Sequence, residues 1–291
     1  MITVRRLRRA LADAWGLADA TVEVHNGGMN SATWFVGAGG ERWVAKAVDP
    51  AARRSFAGGL RSAAAVDAAG IPAGAPVATR QGEIVADVDG VPLALLTWVA
   101  GETLGPADLP LIGGTLAAAH RALLGVPVAD RFHWVDPRAG HLGLRPWIRG
   151  AVAAAVEAYE DLGPETLTWG PLHTDPEPGA FLLDRASGVC GLIDWGIGLT
   201  GPLLYDLASA VMYAGGPDRA GPLIDAYLAG GVVPAAEVDR GLGVPLRLRW
   251  AVQADYFARR IADGDLTGIA SAADNEEGLE DARAGLSHWG P

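Results

Sequence analysis

The hydrophobic period of this chain changes once, near Gly101, and that change limits what the chain can fold into. Before it, apolar residues alternate. Over residues 42–48, Trp43, Ala45 and Ala47 share one face while Val44, Lys46 and Val48 share the other, the period-two pattern of a strand. Residues 22–24 and 33–36 read as two further strands, with a flexible turn at 26–31 and a tight glycine turn at 37–40. Asp89-Gly90, set between the apolar runs of 83–98, signals a hairpin, because a type I′ turn needs positive φ at both central positions. Residues 4–15, closed by Gly16, and 51–69, stopped by Gly70 and Pro72, read as helices. Gly58 and Gly59 weaken the first half of the second helix.

Beyond Gly101 the apolar residues recur at threes and fours. Leu109, Ile112, Leu116, Ala119 and Leu123 form one stripe of an amphipathic helix that carries His120 and Arg121 near its end. Residues 147–159, 203–213, 219–228 and 245–261 also read as helices. The last has Pro245 in its first turn and an apolar stripe of Leu246, Trp250, Ala254, Phe257 and Ile261. Its other face, with Arg247, Arg249, Asp255, Tyr256, Arg259 and Arg260, reads as a solvated face holding an Asp255–Arg259 pair. One strand pair, 181–184 with 189–193, interrupts the helices. The expectation is an α+β fold, a small antiparallel sheet followed by a larger, mainly helical part.

That strand pair is flanked by acids. Asp175 precedes it and Asp194 closes it, so strand pairing brings the two carboxylates to one cleft. Phosphoryl transfer from ATP needs such a pair: one carboxylate holds Mg²⁺ against the phosphates, and another orients the attacking hydroxyl and receives its proton. A second feature is compositional. Of 23 basic residues, only Lys46 is a lysine, and it lies inside an apolar run. Arginine serves as the general cation here, so a lone lysine marks a place for a compact ammonium on a flexible stem.

The remaining composition works mainly by exclusion. No charge-free stretch reaches the roughly 20 residues of a membrane-crossing helix. The first segment carries Arg5, Arg6, Arg8, Arg9 and Asp13 and lacks the apolar core of a signal peptide, so a cytoplasmic location is expected. Cys190 is the only cysteine, which excludes an intrachain disulfide, and no Cys/His cluster points to structural zinc. A net charge of −11 argues against nucleic-acid binding through a basic surface. From His173 onward there are 17 acidic and 8 basic residues, a field that attracts cationic substrates.

Three motifs in order, His173-Thr174-Asp175, Ile193-Asp194-Trp195 and Tyr205-Asp206-Leu207-Ala208, resemble those of the aminoglycoside phosphotransferase and choline kinase group. Upstream, Val44-Ala45-Lys46 is similar to that group's lysine strand. Residues 27–32 look like its turn over the nucleotide phosphates, and 97–102 like its hinge. The resemblance covers residues 22–207 and implies a two-lobed kinase-like fold. Residues 1–98 would be a nucleotide-binding lobe, 99–102 the hinge, and 103–291 a helical lobe with the catalytic loop and acceptor site. It implies ATP and Mg²⁺ as cofactors. Asp175 would be the catalytic carboxylate and Asp194 the metal ligand. Lys46, Asn30, Ser31, Thr97 and Val99 would bind the nucleotide. His173 and Asp206 would brace the loop, and Tyr205, Trp195 and Trp98 read as core aromatics.

The chain also departs from the pattern. Ala180 stands where the group has a metal-binding Asn, Gly59 where the helix after the lysine strand has a Glu, and Thr174 where the loop has a Gly. Three readings follow: a single-metal kinase, a kinase completed by a protein partner, or a nucleotide-binding pseudokinase. The leading acceptor is a hydroxyl of a small molecule or natural product, as in antibiotic-modifying kinases. The alternative is Ser or Thr of a precursor peptide, phosphorylated beside a lyase partner.

Overall fold

The computed structural model describes residues 2–25, 28–127, 130–132 and 135–288. The chain opens with α1 (Val4–Ala10), capped by the Thr3 hydroxyl, and continues as a π-turn over Leu11–Trp15 that Gly16 ends at φ +81°. Strands β1 (Thr21–His25), β2 (Ala32–Ala38) and β3 (Glu41–Ala47) follow as an antiparallel meander. Helix α2 (Arg53–Ala68) leads to the hairpin of β4 (Ala86–Val88) and β5 (Val91–Thr97). Its turn residues, Asp89 and Gly90, have φ of +54° and +85°, as the sequence predicts. The sheet order is β1-β2-β3-β5-β4. One face packs Trp34, Val36, Ala45, Ala47, Leu93 and Leu95 onto Leu7 and Leu11. The other packs Val48 and Ala94 onto Phe56 and Leu60 of α2. The alternation read for residues 42–48 separates these two cores.

Gly101 carries the chain from sheet to helices with φ +148°, and a side chain there would come within 2.9 Å of the Leu182 and Leu183 backbone. Next come β6 (Glu102–Thr103), α3 (Leu109–Leu123), α4 (Ile148–Asp161) and β7 (Trp169–Leu172). The hairpin β8 (Phe181–Asp184) and β9 (Val189–Leu192) precedes β10 (Leu199–Pro202). Helices α5 (Leu203–Tyr213), α6 (Pro217–Ala229), α7 (Ala235–Gly241), α8 (Gly243–Asp263) and α9 (Ala272–His288) complete the chain. The apolar stripe of α3 reaches the core as predicted, with Ile112, Leu116, Ala119 and Leu123 all buried beside Leu203, Leu207 and Leu223. The result is a kinase-like α+β fold, a small antiparallel-sheet lobe and a larger helical lobe. Among the described residues no helix is long and apolar enough to cross a membrane.

Two readings of side-chain environment need correction. The polar face of α8 is not solvated throughout: Arg249, Asp255 and Arg260 are buried. The expected Asp255–Arg259 pair does form, at 2.9 Å, but Asp255 also takes a 2.6 Å hydrogen bond from His141. Helix α8 is packed by α4 on one side and α9 on another, a third layer that its own periodicity does not reveal. Trp98 is not a core aromatic. It is half-buried, edge-on to Phe35 and covered by the Arg42 guanidinium at 3.6 Å.

Candidate active site

Strand β3 places Lys46 on the α2 face of the sheet, across from Thr33 of β2 and Ala94 of β5. From there its Nζ donates to Asp194 Oδ1, 148 residues away in sequence. The lysine is recessed, with 13 % of its side chain accessible, while Asp194 opens to the cleft. Burial acts to raise the Asp194 pKa. The Lys46 charge and hydrogen bond, helped by His173, outweigh it and hold the carboxyl below its ordinary value. Asp194 itself sits at φ +72°, a conformation that costs a side-chain-bearing residue about 1–3 kcal/mol.

The missing helix glutamate has a steric cause. A side chain at Gly59 would run into the carbonyl of Trp195, and Gly58 meets Gly198 backbone to backbone. Gly198 N–H donates to Ser55 O at 2.7 Å, fixing that contact. Helix α2 therefore presses directly on the segment that follows Asp194, and Lys46 takes Asp194 as its partner. Asp67, the only acid of α2, instead accepts from Ala73 N–H at 3.2 Å.

The loop before β8 is held from below. Asp206 is fully buried in the first turn of α5 and accepts the backbone N–H groups of His173 at 2.6 Å and Thr174 at 2.9 Å. It also accepts from His120 Nε2 at 3.0 Å, and His120 Nδ1 lies 2.8 Å from the Tyr227 hydroxyl. These bonds pin Thr174 at φ +76°, where the related motif has glycine. His173 Nε2 donates to Ile193 O at 2.8 Å, tying the loop to the end of β9 beside Asp194. His120 was not singled out from sequence, although a histidine between Ala119 and Leu123 on a buried stripe is its signal.

Asp175, which follows Thr174, has an exposed side chain. Its Oδ1 accepts from the Tyr213 hydroxyl at 2.7 Å and from Arg249 Nη2 at 2.8 Å. Glu177 lies close enough that burial, then the charges of Asp175 and Asp194, raise its pKa, against the opposing pull of Arg249. Ala180 is buried and offers no donor atom, its carbonyl accepting from Ile193 N–H at 2.8 Å.

Of the residues read as nucleotide-binding, Asn30 and Ser31 lie in the turn just before β2. Asn30 Oδ1 accepts from Tyr256 of α8 at 3.0 Å, Met29 O from Arg260 at 3.3 Å, and Ser31 Oγ is 3.5 Å from Thr33 Oγ1. Asn26 and Gly27 of the same turn lie outside the described residues. Thr97 ends β5, donating its N–H to Ala75 O at 2.9 Å. Val99 lies over Gly191 of β9, leaving no room there for a side chain. Arg249, Tyr256 and Arg260 were read from the sequence only as part of a solvated face, and Gln253 was not singled out. Their four-three-four spacing on α8 traces one line from Asp175 to the glycine turn, and that spacing was the available signal.

Comparisons with known proteins agree with this architecture. The chain is 29 % identical over 178 residues to a homoserine kinase of Azorhizobium caulinodans, covering 56 % of this chain and 53 % of that protein. It is 32 % identical over 181 residues to a homoserine kinase of Rhodospirillum rubrum, with the same two coverages. The match thus spans about half the length of these curated relatives. Among solved structures, a microcompartment-associated aminopropanol kinase superposes with a TM-score of 0.74 at 17 % identity, over 99 % of this chain and 96 % of that one. An amicoumacin kinase in complex with AMP-PNP, Ca²⁺ and Ami gives 0.74 at 16 %, over 100 % and 95 %. The model of the phosphotransferase enzyme family (APH) matches residues 21–242, a span that takes in the Lys46 strand, the loop of Asp175 and the hairpin that ends at Asp194. The chain belongs to the phosphotransferase enzyme family.

Proposed function

We propose that this protein transfers the γ-phosphoryl group of Mg-ATP to the hydroxyl of a small amino alcohol. The observation that carries the reading is the meeting of Lys46 with Asp194, the side chain of Asp175 being exposed. In this reading Lys46 grips the α- and β-phosphates. Asn30 and Ser31 cover them, and Thr97 and Val99 flank the base at a hinge over residues 99–102. Asp175 accepts the proton of the acceptor hydroxyl as its oxygen attacks the γ-phosphorus and the bond to the β-phosphate oxygen breaks.

The donor chemistry suits magnesium. Among the described residues no group of three or more His, Cys, Asp or Glu is gathered for a metal. Mg²⁺ does not require one, because it takes one or two carboxylates and completes its shell with phosphate oxygens and water. Asp194 would hold it, with Glu177 the nearest substitute for the donor that Ala180 lacks. The bound ion supplies positive charge that neutralises the phosphates.

Amino alcohols are favoured as acceptors because homoserine and aminopropanol, named in the relatives above, each carry an amine and a hydroxyl. The acidic balance from His173 onward agrees with an ammonium-bearing acceptor. The helix departure that suggested a completing partner has a local cause: Gly59 is required by packing, and Lys46 has its carboxylate in Asp194. The purified protein should therefore act alone, in keeping with a cytoplasmic enzyme. Mg-ATP with L-homoserine, 1-amino-2-propanol, choline and kanamycin, read by ADP release and product mass, tests this. Phosphorylation of one of the first two supports it. Nucleotide binding without transfer to any of the four would overturn it.

A further inference from the structure

Arg249 is the buried cation that meets Asp175 directly. It is 6 % exposed on α8, and each guanidinium nitrogen has a partner. Nε donates to Ser209 Oγ at 3.0 Å and Nη1 to Gln253 Oε1 at 2.8 Å. Nη2 donates to Asp175 Oδ1 at 2.8 Å and to the Tyr213 hydroxyl at 3.1 Å. Tyr213 in turn donates to the same Asp175 oxygen at 2.7 Å. Asp175 itself is 57 % accessible, so without these contacts its carboxylate would turn freely in water.

We propose that Arg249, with Tyr213, is the positioning residue of the proposed phosphoryl transfer: it fixes one oxygen of Asp175 so that the other, Oδ2, faces the acceptor hydroxyl. This rests on the reading of Asp175 given above. The Asp175 backbone is already set on one side by Thr174, which Asp206 holds. A planar guanidinium anchored to Ser209 and Gln253 sets the carboxylate plane on the other. Both anchors lie on helices, α5 and α8, so the oxygen is placed by rigid elements rather than by the loop alone. Lysine could supply the charge at this place but not the planar fork that meets four partners at once. A carboxylate misaimed by about 1 Å costs on the order of 10²-fold in rate.

The test is a double-mutant cycle on whichever of L-homoserine or 1-amino-2-propanol the parent phosphorylates. Arg249→Met should lower kcat on the order of 10²-fold with the Kd for Mg-ATP changed less than about twofold, and Arg249→Lys should recover part of the loss. In an Asp175→Asn background the same Arg249→Met change should cost nothing further, because the oxygen it aims is no longer a base. Tyr213→Phe, a milder change, should lower kcat in the same direction. A full additional loss in the Asp175→Asn background, or an unchanged kcat in Arg249→Met, overturns the positioning role. A parent that turns over neither acceptor overturns the reading of the site instead. A crystal structure of Arg249→Met reads the proposal without turnover. The Asp175 carboxylate should leave its parental rotamer, and an unmoved carboxylate contradicts the inference.

Discussion

Lys46 Nζ donates to Asp194 Oδ1, so the cation proposed for the phosphates and the carboxylate proposed for the metal are direct neighbours. Every other cation of the chain is an arginine, which makes Lys46→Arg the sharpest probe of this position. A guanidinium keeps the charge that Asp194 pairs with, so the melting temperature should change little. It is bulkier and differently directed, so nucleotide affinity or turnover should fall about tenfold or more. Calorimetric titration with Mg-ATP and a thermal melt measure both. An Arg variant that binds and turns over like the parent makes the lone lysine an accident of composition.

Thr174 is held with φ of +76° by the Asp206 carboxylate. For a β-branched residue that conformation costs about 1–3 kcal/mol. Thr174→Gly removes the strain and gives back about 0.5–1 kcal/mol through the freer unfolded chain. A net gain of roughly 1 kcal/mol is expected, a rise in melting temperature of about 2–4 °C. Scanning calorimetry decides it, and a fall of similar size would mean that the threonine makes contacts worth more than its strain.

Gly59 faces the Trp195 carbonyl one residue beyond Asp194. Gly59→Ala forces α2 and this segment apart, and overpacking of this kind costs about 1–3 kcal/mol. The melting temperature should fall, and the Kd for Mg-ATP should rise because Asp194 moves with Trp195. Gly59→Glu should do worse on both counts rather than restore a lysine partner. Improved nucleotide binding by the Glu variant would contradict the steric account.

The sheet, the glycine at the change from sheet to helices and seven of the helices were legible in the sequence because each is written locally, in period, cap or turn residue. The motif order also put Lys46 and Asp194 forward, and the fold brings these two side chains into contact. Other features were not local. Gly58 and Gly59 read as weak helix formers, although their purpose is close contact with Gly198 and Trp195, residues about 140 positions away. Arg249 and Arg260 read as solvated because a helix in a third layer buries more than its apolar stripe. Short α7, the long α9 with its many charges, and the β7–β10 pair were missed. Their stability comes from tertiary packing, which single-segment patterns do not record.

Tyr256 donates to Asn30 Oδ1 at 3.0 Å, linking α8 to the turn proposed to cover the phosphates. Tyr256→Phe removes this bond and the longer one, 3.4 Å, that the same hydroxyl accepts from Arg260, each worth at most about 0.5–1.5 kcal/mol. If the turn holds the nucleotide, the Kd for Mg-ATP should rise about two- to tenfold, with the melting temperature falling by no more than about 2–4 °C. Equal affinity in the Phe variant would separate this contact from nucleotide binding.

Asp175 and Asp194 are the two carboxylates proposed to perform phosphoryl transfer. Steady-state ADP release with Mg-ATP and the acceptor the parent phosphorylates, measured for Asp175→Asn and Asp194→Ala, tests this most directly. Losing either the hydroxyl's base or the metal's carboxylate should lower turnover by at least ~10³-fold, while circular dichroism and the melting temperature show an intact fold. Turnover within about tenfold of the parent in either folded variant would contradict the role assigned to that residue.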